Sequence, residues 1–296
     1  MLPHKAGFVN IIGKPNVGKS TLMNALVGER LSIITSKAQT TRHRIFGIVN
    51  GDDFQIVYSD TPGIIQPAYK MQEAMMRFVH ESLDDADVLL VMADASNPKD
   101  QLEQVTERLN KEKIPIIFLL NKCDLVEEEE AKRQLEQWQK QIRAEHYIAI
   151  SALNDGDKLG QIFDHILALI PESPPYFPDK EALTDRPERF FVSEIIREKI
   201  LINYKQEIPY SVEVVVESFK EDTDIVRITA LIIANRSSQK PILIGKGGEM
   251  LKKVGTQARM DIEKFLDKKV FLELLVKVKE GWRESETWLR NMGYMD

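Results

Sequence analysis

The stretch Gly13-Lys14-Pro15-Asn16-Val17-Gly18-Lys19-Ser20 constrains this chain more than any other. It reads G-x-x-x-x-G-K-S, a phosphate-binding loop, which needs a strand before it and a helix after it. Both are present. Gly7–Ile12 reads as a short buried strand, and the run from Thr21 to Val27 as the first turns of a helix. The glycines let backbone N–H groups face an anion, and the helix N-terminus adds a favourable dipole. Lys19 would reach the β- and γ-phosphates, and the Ser20 hydroxyl would ligate Mg²⁺. Gly13, Asn16, Val17, Gly18 and Thr21 complete the expected nucleotide contacts of the loop. At average composition such a match arises by chance in roughly one chain of this length in a hundred, so the flanking strand and helix carry much of the weight.

With 296 residues there is room for two domains. A hydrophobic content of 43% and a charged content of 29% are those of a soluble globular protein. No apolar run is long enough to span a bilayer, and residues 1–5 lack the apolar core of a secretory signal. The single cysteine, Cys123, excludes an intramolecular disulfide framework and fits a reducing cytosol. The net charge of −6 means that any nucleic-acid partner must be held by a local basic patch.

The first part alternates short apolar runs with segments of helical period. The strands are expected at Gly7–Ile12, Ile45–Asn50, Phe54–Tyr58, Val88–Ala93, Ile114–Leu120 and Tyr147–Ile150. The helices are expected at Lys19–Val27, Met71–Leu83, Leu102–Leu109, Glu129–Ile142 and Leu159–Leu169. This alternation predicts an α/β fold, a mostly parallel sheet with helices on both faces. Asn50-Gly51-Asp52 is a tight-turn signal and predicts one antiparallel hairpin within that sheet. Four prolines between Pro171 and Pro178 favour an extended connector. The expected division is a nucleotide-binding domain over 1–172, a Pro-rich linker over 173–187 and a smaller α+β domain over 188–296.

Three more motifs fall at strand ends. Asp60-Thr61-Pro62-Gly63 offers a carboxylate to Mg²⁺ through a water and the Gly63 amide to a γ-phosphate. Asn121-Lys122-Cys123-Asp124 offers a carboxylate to the N1 and 2-amino hydrogens of guanine. A buried Asp124 would reject adenine, which leaves those acceptors unpaired. A backbone amide of Ser151-Ala152-Leu153 would donate to the guanine 6-oxo group. Cys123 reads as a half-buried filler, and the acidic run Glu127–Glu130 as the favourable start of a helix.

Four such motifs in this order resemble the translation-factor-like GTPases over about the first 170 residues. The resemblance implies GTP and GDP as ligands. It also implies a threonine in the loop Ser32–Arg44 that closes over Mg²⁺ and the γ-phosphate. Thr40 and Thr41 compete for that role, and similarity to GTPases with a T-T-R switch favours Thr41. Lys19, Thr41 and Gly63 are then the expected catalytic residues, and Ser20, Thr41 and Asp60 the metal set. Arg42, His43 and Arg44 read as a solvated polar loop as readily as anything specific. Where small signalling GTPases carry a glutamine after this glycine, the chain has Ile64, which cannot hydrogen-bond a water. Slow intrinsic hydrolysis follows. Similar GTPases use an asparagine at the position of Asn16 to hold K⁺, although an asparagine also suits a tight loop.

The second part begins with a helical pattern over Glu188–Asn203, followed by alternating runs at Ser211–Phe219 and Ile225–Ile233. Next come the apolar run Ile242-Leu243-Ile244, the loop Gly245-Lys246-Gly247-Gly248, a helix to Leu266, a strand at Val270–Val278 and a final helix at Glu284–Met292. G-x-x-G alone also fits a tight turn. In this order it is similar to the bacterial form of the KH domain, which clamps about four nucleotides of a single strand. Lys240, Lys246, Lys252 and Lys253 supply the local basic patch, and Ile232 and Ile244 an expected apolar groove for bases. The polar segment Arg236–Lys240 suggests mobility, and Trp282 and Trp288 read as packing anchors.

A GTPase carrying a Q-T-T-R-H-R-I switch, joined by a Pro-rich connector to a KH domain, resembles the Era family of bacterial GTPases over nearly the whole chain. The resemblance implies binding of 16S rRNA near its 3′ end and a role in assembly of the small (30S) ribosomal subunit. It also implies a cytoplasmic monomer with peripheral association at the inner face of the cell membrane. A GTP-gated regulator acting on other RNAs, or a metabolic NTPase with an incidental turn at Gly245, would share the same motifs.

Overall fold

The computed structural model describes residues 4–98, 102–111 and 113–295. The chain divides into two units, Met1–Pro67 with Met75–Asp185 and Ala68–Ala74 with Arg186–Asp296. The first is built on strands β1 (Lys5–Gly13), β2 (Ile45–Asn50), β3 (Phe54–Asp60), β4 (Val88–Asp94), β5 (Ile116–Asn121) and β6 (His146–Ala149). Its helices are α1 (Lys19–Val27), α2 (Lys70–Asp84), α3 (Glu103–Lys111), α4 (Glu128–Gln139) and α5 (Gly156–Leu169). The strands lie in the order β2-β3-β1-β4-β5-β6. All neighbours are parallel except β2, which runs antiparallel to β3 through the turn at Gly51. Gly51 N donates to Phe54 O at 2.9 Å, closing the hairpin that Asn50-Gly51 predicts.

The central strands β4 and β5 are buried at every residue. Continuous apolar runs covered on both faces are what parallel sheets require. Parallel register also gathers the strand ends along one edge. Ile11 pairs with Asp60, Gly13 with Met92, and Asp94 with Asn121. The phosphate loop, Asp60 and Asn121 therefore emerge side by side, as ligand sites do in sheets of this kind.

Several bounds shift by two or three residues from the sequence expectation. β5 starts at Ile116, and α4 ends at Gln139. The residues after Pro171 are tied to the first unit rather than forming a free spacer. Gln55, fully buried, accepts the amides of Tyr176 and Phe177 at 2.7 and 2.9 Å and donates to Phe177 O at 2.8 Å. Ile48 N donates to Leu183 O at 2.9 Å on the outer edge of β2.

The second unit comprises α6 (Glu188–Asn203), β7 (Val212–Glu221), β8 (Val226–Ala234), α7 (Gln239–Ile244), α8 (Glu249–Leu266), β9 (Val270–Val278) and α9 (Glu286–Asn291). Its sheet order is β7-β8-β9, with β7 antiparallel and β9 parallel to β8. Val192, Ile196 and Ile200 of α6, and Val254, Ala258 and Ile262 of α8, recur every four residues. They bury one stripe of each helix in the core with Val214, Ile228 and Ile232. Trp282 is fully buried and donates Nε1–H to Ser211 O at 3.3 Å, an anchor as expected.

The connection between β8 and the glycine loop holds a helix, and its polar start is fixed, which corrects the expected mobility. Ile242-Leu243-Ile244 belongs to a short helix, α7, in which Pro241 occupies the first turn, where its missing N–H costs nothing. The segment Arg236–Lys240 is pinned. Buried Gln239 accepts the Arg236 amide at 3.0 Å and donates to Ser211 Oγ at 2.9 Å. Among the described residues no helix is long and apolar enough to cross a membrane.

Candidate nucleotide site and nucleic-acid interface

The phosphate loop and the loop Ser32–Arg44 enclose a cleft of about 460 Å³. Gly18 has φ +104°, and a Cβ there would stand 2.2 Å from Asn121 Nδ2. Only glycine permits both the turn and that approach. Lys19 is buried, and its Nζ donates to the Gly13 and Lys14 carbonyls at 3.1 and 2.9 Å, holding the ammonium over the loop. Asn16 adopts a left-handed backbone, φ +65°, and donates Nδ2–H to Ser36 O at 3.0 Å.

Ser20, Thr41 and Asp60 converge. Ser20 Oγ donates to Asp60 Oδ2 at 2.7 Å, Thr41 Oγ1 to the same oxygen at 3.1 Å, and the two hydroxyls lie 2.9 Å apart. Thr40 turns the other way, meeting Thr35 Oγ1 at 2.7 Å and the Lys37 carbonyl at 2.6 Å. Asp60 is completely buried, and its Oδ1 has no hydrogen-bond partner among the described residues. Burial pushes its carboxyl above the usual range, against the pull of Lys19 and the hydroxyls. A buried acceptor left over beside two hydroxyls fits a hard divalent cation. Among the described residues no three His, Cys, Asp or Glu side chains gather to cage a metal. A cation here needs phosphate oxygens to complete its shell.

Gly63 closes against the phosphate loop, where a Cβ would lie 2.6 Å from Pro15 N. Ile64 N donates to Gly13 O at 3.0 Å, and the Ile64 side chain is buried. The segment after Asp60 thus docks on the loop through backbone, with an apolar side chain where a water-orienting group would stand.

On the base side, Asn121 is a brace. Its Nδ2 donates to Val17 O at 2.7 Å, and its Oδ1 accepts the Ala152 amide at 2.8 Å, joining the phosphate loop to Ser151-Ala152-Leu153. The Ser151 amide donates to Asp155 Oδ2 at 2.7 Å, and Leu153 is 78% exposed. Asp124 is exposed, which corrects the expected burial. It sits on a single helical turn, Cys123–Leu125, just after β5. Lys122 pairs with the buried Asp94 at the end of β4. Cys123 donates Sγ–H to Leu120 O at 3.1 Å, and burial pushes its thiol up, as a filler requires. The sequence reading missed Asp94 and Asp155. It also missed Asn24, whose Oδ1 accepts the Leu31 and Ser32 amides at 3.0 and 2.9 Å at the start of the switch loop. Only the positions of Asp94 at the end of β4 and Asp155 before α5 hinted at them. Arg42, His43 and Arg44 are buried, not a solvated loop.

In the second unit Gly245, Gly247 and Gly248 all have positive φ, at 75°, 60° and 83°. A Cβ on Gly245 would meet Met250 Cγ at 2.7 Å, whereas nothing lies within 4 Å of one on Gly247 or Gly248. Lys240, Lys246, Lys252 and Lys253 are exposed around this loop. The neighbouring groove, about 390 Å³, is lined by Leu251, Lys252, Gly255, Arg259, Leu272 and Leu274, among others. The expected Ile232 is core, 1% exposed, and Ile244 packs against that core. The apolar wall of the groove comes instead from alternate residues of β9.

A family model described as 50S ribosome-binding GTPase matches residues 8–122, and one described as KH domain matches residues 207–283. GTPase Era of Carboxydothermus hydrogenoformans is 43% identical over 298 residues, covering 100% of this chain and 99% of its own length. GTPase Era of Alkaliphilus oremlandii is 46% identical over 295 residues, covering 98% of this chain and 99% of its own. A crystal structure of Era in complex with MgGDPNP and nucleotides 1506-1542 of 16S ribosomal RNA is 37% identical with a TM-score of 0.92, over 99% of this chain and 100% of that one. With these likenesses over its full length, a phosphate loop at the sheet edge and a KH domain later in the sequence, the chain belongs to the Era family of GTPases.

Proposed function

We propose that this chain is a GTP-controlled switch that binds 16S rRNA near its 3′ end through its KH unit and acts in assembly of the small ribosomal subunit. One observation carries the reading. The same chain holds a nucleotide cleft whose switch threonine reaches Asp60, and a glycine loop beside a basic, leucine-walled groove. A relative with the same architecture was crystallised with MgGDPNP and that stretch of 16S RNA.

Gly13 to Thr21 wrap the phosphates, with Lys19 neutralising the β- and γ-phosphates and the Gly63 amide meeting the γ-phosphate. Ser20 and Thr41 would hold Mg²⁺ directly and Asp60 through a water, supplying charge stabilisation to the phosphates. Asp124 reads the guanine edge, Asn121 and Lys122 shape its pocket, and the Ser151–Leu153 loop faces the 6-oxo group. Lys240, Lys246, Lys252 and Lys253 draw in the RNA backbone, which Gly245, Gly247 and Gly248 let approach closely. Ile64 leaves hydrolysis slow, and K⁺ held by Asn16 raises it. Equal GTPase rates in KCl and NaCl would remove this role. We place the protein in the cytoplasm as a monomer, with the family's peripheral membrane contact as its second location.

The test is crosslinking of the full chain to cellular RNA with a GTP analogue bound, followed by sequencing of the footprint. A footprint on the 3′ end of 16S rRNA supports the proposal. A footprint confined to messenger or transfer RNAs makes the chain a regulator of other RNAs, and no footprint removes the RNA role.

A further inference from the structure

The switch loop ends in Arg42-His43-Arg44, three polar residues that are all buried. A buried guanidinium is tolerable only when its donors meet acceptors. Arg44 Nε donates to Ser59 Oγ at 2.7 Å, Nη1 to Asp85 Oδ2 at 2.6 Å, and Nη2 to Asp85 Oδ1 at 2.8 Å and Asn10 Oδ1 at 3.2 Å. Its plane lies 4.7 Å from the Phe46 ring centroid. Asn10 strengthens the knot by donating Nδ2–H to Ser82 O at 2.6 Å and Asp85 Oδ1 at 2.7 Å. One side chain thus joins β1, β3 and the end of α2. The His43 ring adds a second contact to that helix, 6.2 Å from the Phe78 ring. Phe78 lies within α2, and Asp85 is the first residue after it, its amide still donating to Glu81 O at 3.1 Å.

This placement brackets the metal cluster. Arg44 is three residues from Thr41, and Ser59 immediately precedes Asp60. The helix it grips, α2, follows the segment Asp60-Thr61-Pro62-Gly63. A bidentate guanidinium–carboxylate pair has a fixed plane, so it transmits orientation as well as position.

We propose that Arg44 and Asp85 are positioning residues that lock the end of the switch loop to α2. Closure of Thr41 over GTP and placement of the segment after Asp60 then occur as one event. The inference rests on the reading of Thr41 as the residue that senses GTP. A pair that is only structural would lower stability and weaken GDP and GTP together, whereas a coupling pair changes their ratio.

The experiment measures dissociation constants of the full-length protein for GDP and for a non-hydrolysable GTP analogue, with Mg²⁺. The variants are Asp85→Asn, Arg44→Lys, Arg44→Gln, Arg44→Gln with Asp85→Asn, and Thr41→Ala. Asp85→Asn should weaken the GTP analogue about tenfold and GDP less than threefold. Arg44→Lys should do the same, because an ammonium cannot form the fork. The double variant should be no worse than the worse single change, as for residues acting through one contact. Equal loss for both nucleotides, or a lower melting temperature with an unchanged ratio, overturns the proposal. The Asp85 side chain is 45% exposed, so Asp85→Asn decides the matter even if the Arg44 variants do not fold. If Thr41→Ala leaves the ratio unchanged, the switch reading itself fails. If Thr41→Ala shifts it and Asp85→Asn does not, only the clamp is refuted.

Discussion

The nucleotide cleft and the groove of the second unit both depend on glycines, for opposite reasons. At the nucleotide site the neighbours demand them. A Cβ on Gly18 would strike Asn121, and one on Gly63 would strike Pro15. At the tip of the second loop the space around Gly247 and Gly248 is open, and only their positive φ marks them. At the first site donors and acceptors brace one another, as Asn121 does between Val17 and Ala152. The other is a surface with open space around its glycines. The first should break when its packing is disturbed, and the second only when its ligand is.

Substitutions can push on that contrast. The largest effect is expected from Asp124→Ala. On the proposed reading, in which the exposed carboxylate meets the guanine edge, discrimination between GTP and ATP should fall at least about a hundredfold, read by competition binding. Gly18→Ala should come next, with GDP binding weakened about a hundredfold, because both the strained φ and the displaced Asn121 amide act on the site. Its RNA affinity without nucleotide should stay unchanged. Gly247→Asp should do the reverse. Asp tolerates the left-handed region, so the melting temperature holds while RNA affinity falls about tenfold by repulsion from phosphate. Loss of nucleotide binding in Gly247→Asp would break the comparison.

The smallest effect concerns Asp60. Burial raises its folded pKa above the unfolded value. Its favourable contribution to the nucleotide-free protein is therefore complete below the unfolded pKa and lost as pH rises through the raised one. A melting temperature that declines over that window without Mg²⁺ nucleotide, and declines less with it, is the expected pattern. A flat profile in both would show that Asp60 does not carry the buried charge.

How much of this was legible in the sequence follows the same divide. Motif residues at strand ends were readable because parallel strands bring their carboxyl ends to one edge whatever the strand order. The order β2-β3-β1-β4-β5-β6 itself was not, since any order of similar apolar runs buries them equally well. Braces such as Asn24, Asp94 and Asp155 carry no spacing signal, because each acts through a backbone group or a partner distant in sequence. Arg44 looked solvated for the same reason: its acceptors, Asn10, Ser59 and Asp85, come from three elements. The groove was misplaced to Ile232 because strand alternation shows two faces without saying which one the helices cover. The helix α7 was hidden by its brevity and by Pro241.

The central claim is that the two sites form one linked system. The direct measurement is the affinity of the full-length chain for an RNA fragment from the 3′ end of 16S rRNA, once with a GTP analogue and once with GDP. The reading requires a difference of about fivefold or more, and RNA must tighten the GTP analogue by that same factor, since coupling of binding is reciprocal. Identical RNA affinity in the two nucleotide states would contradict it.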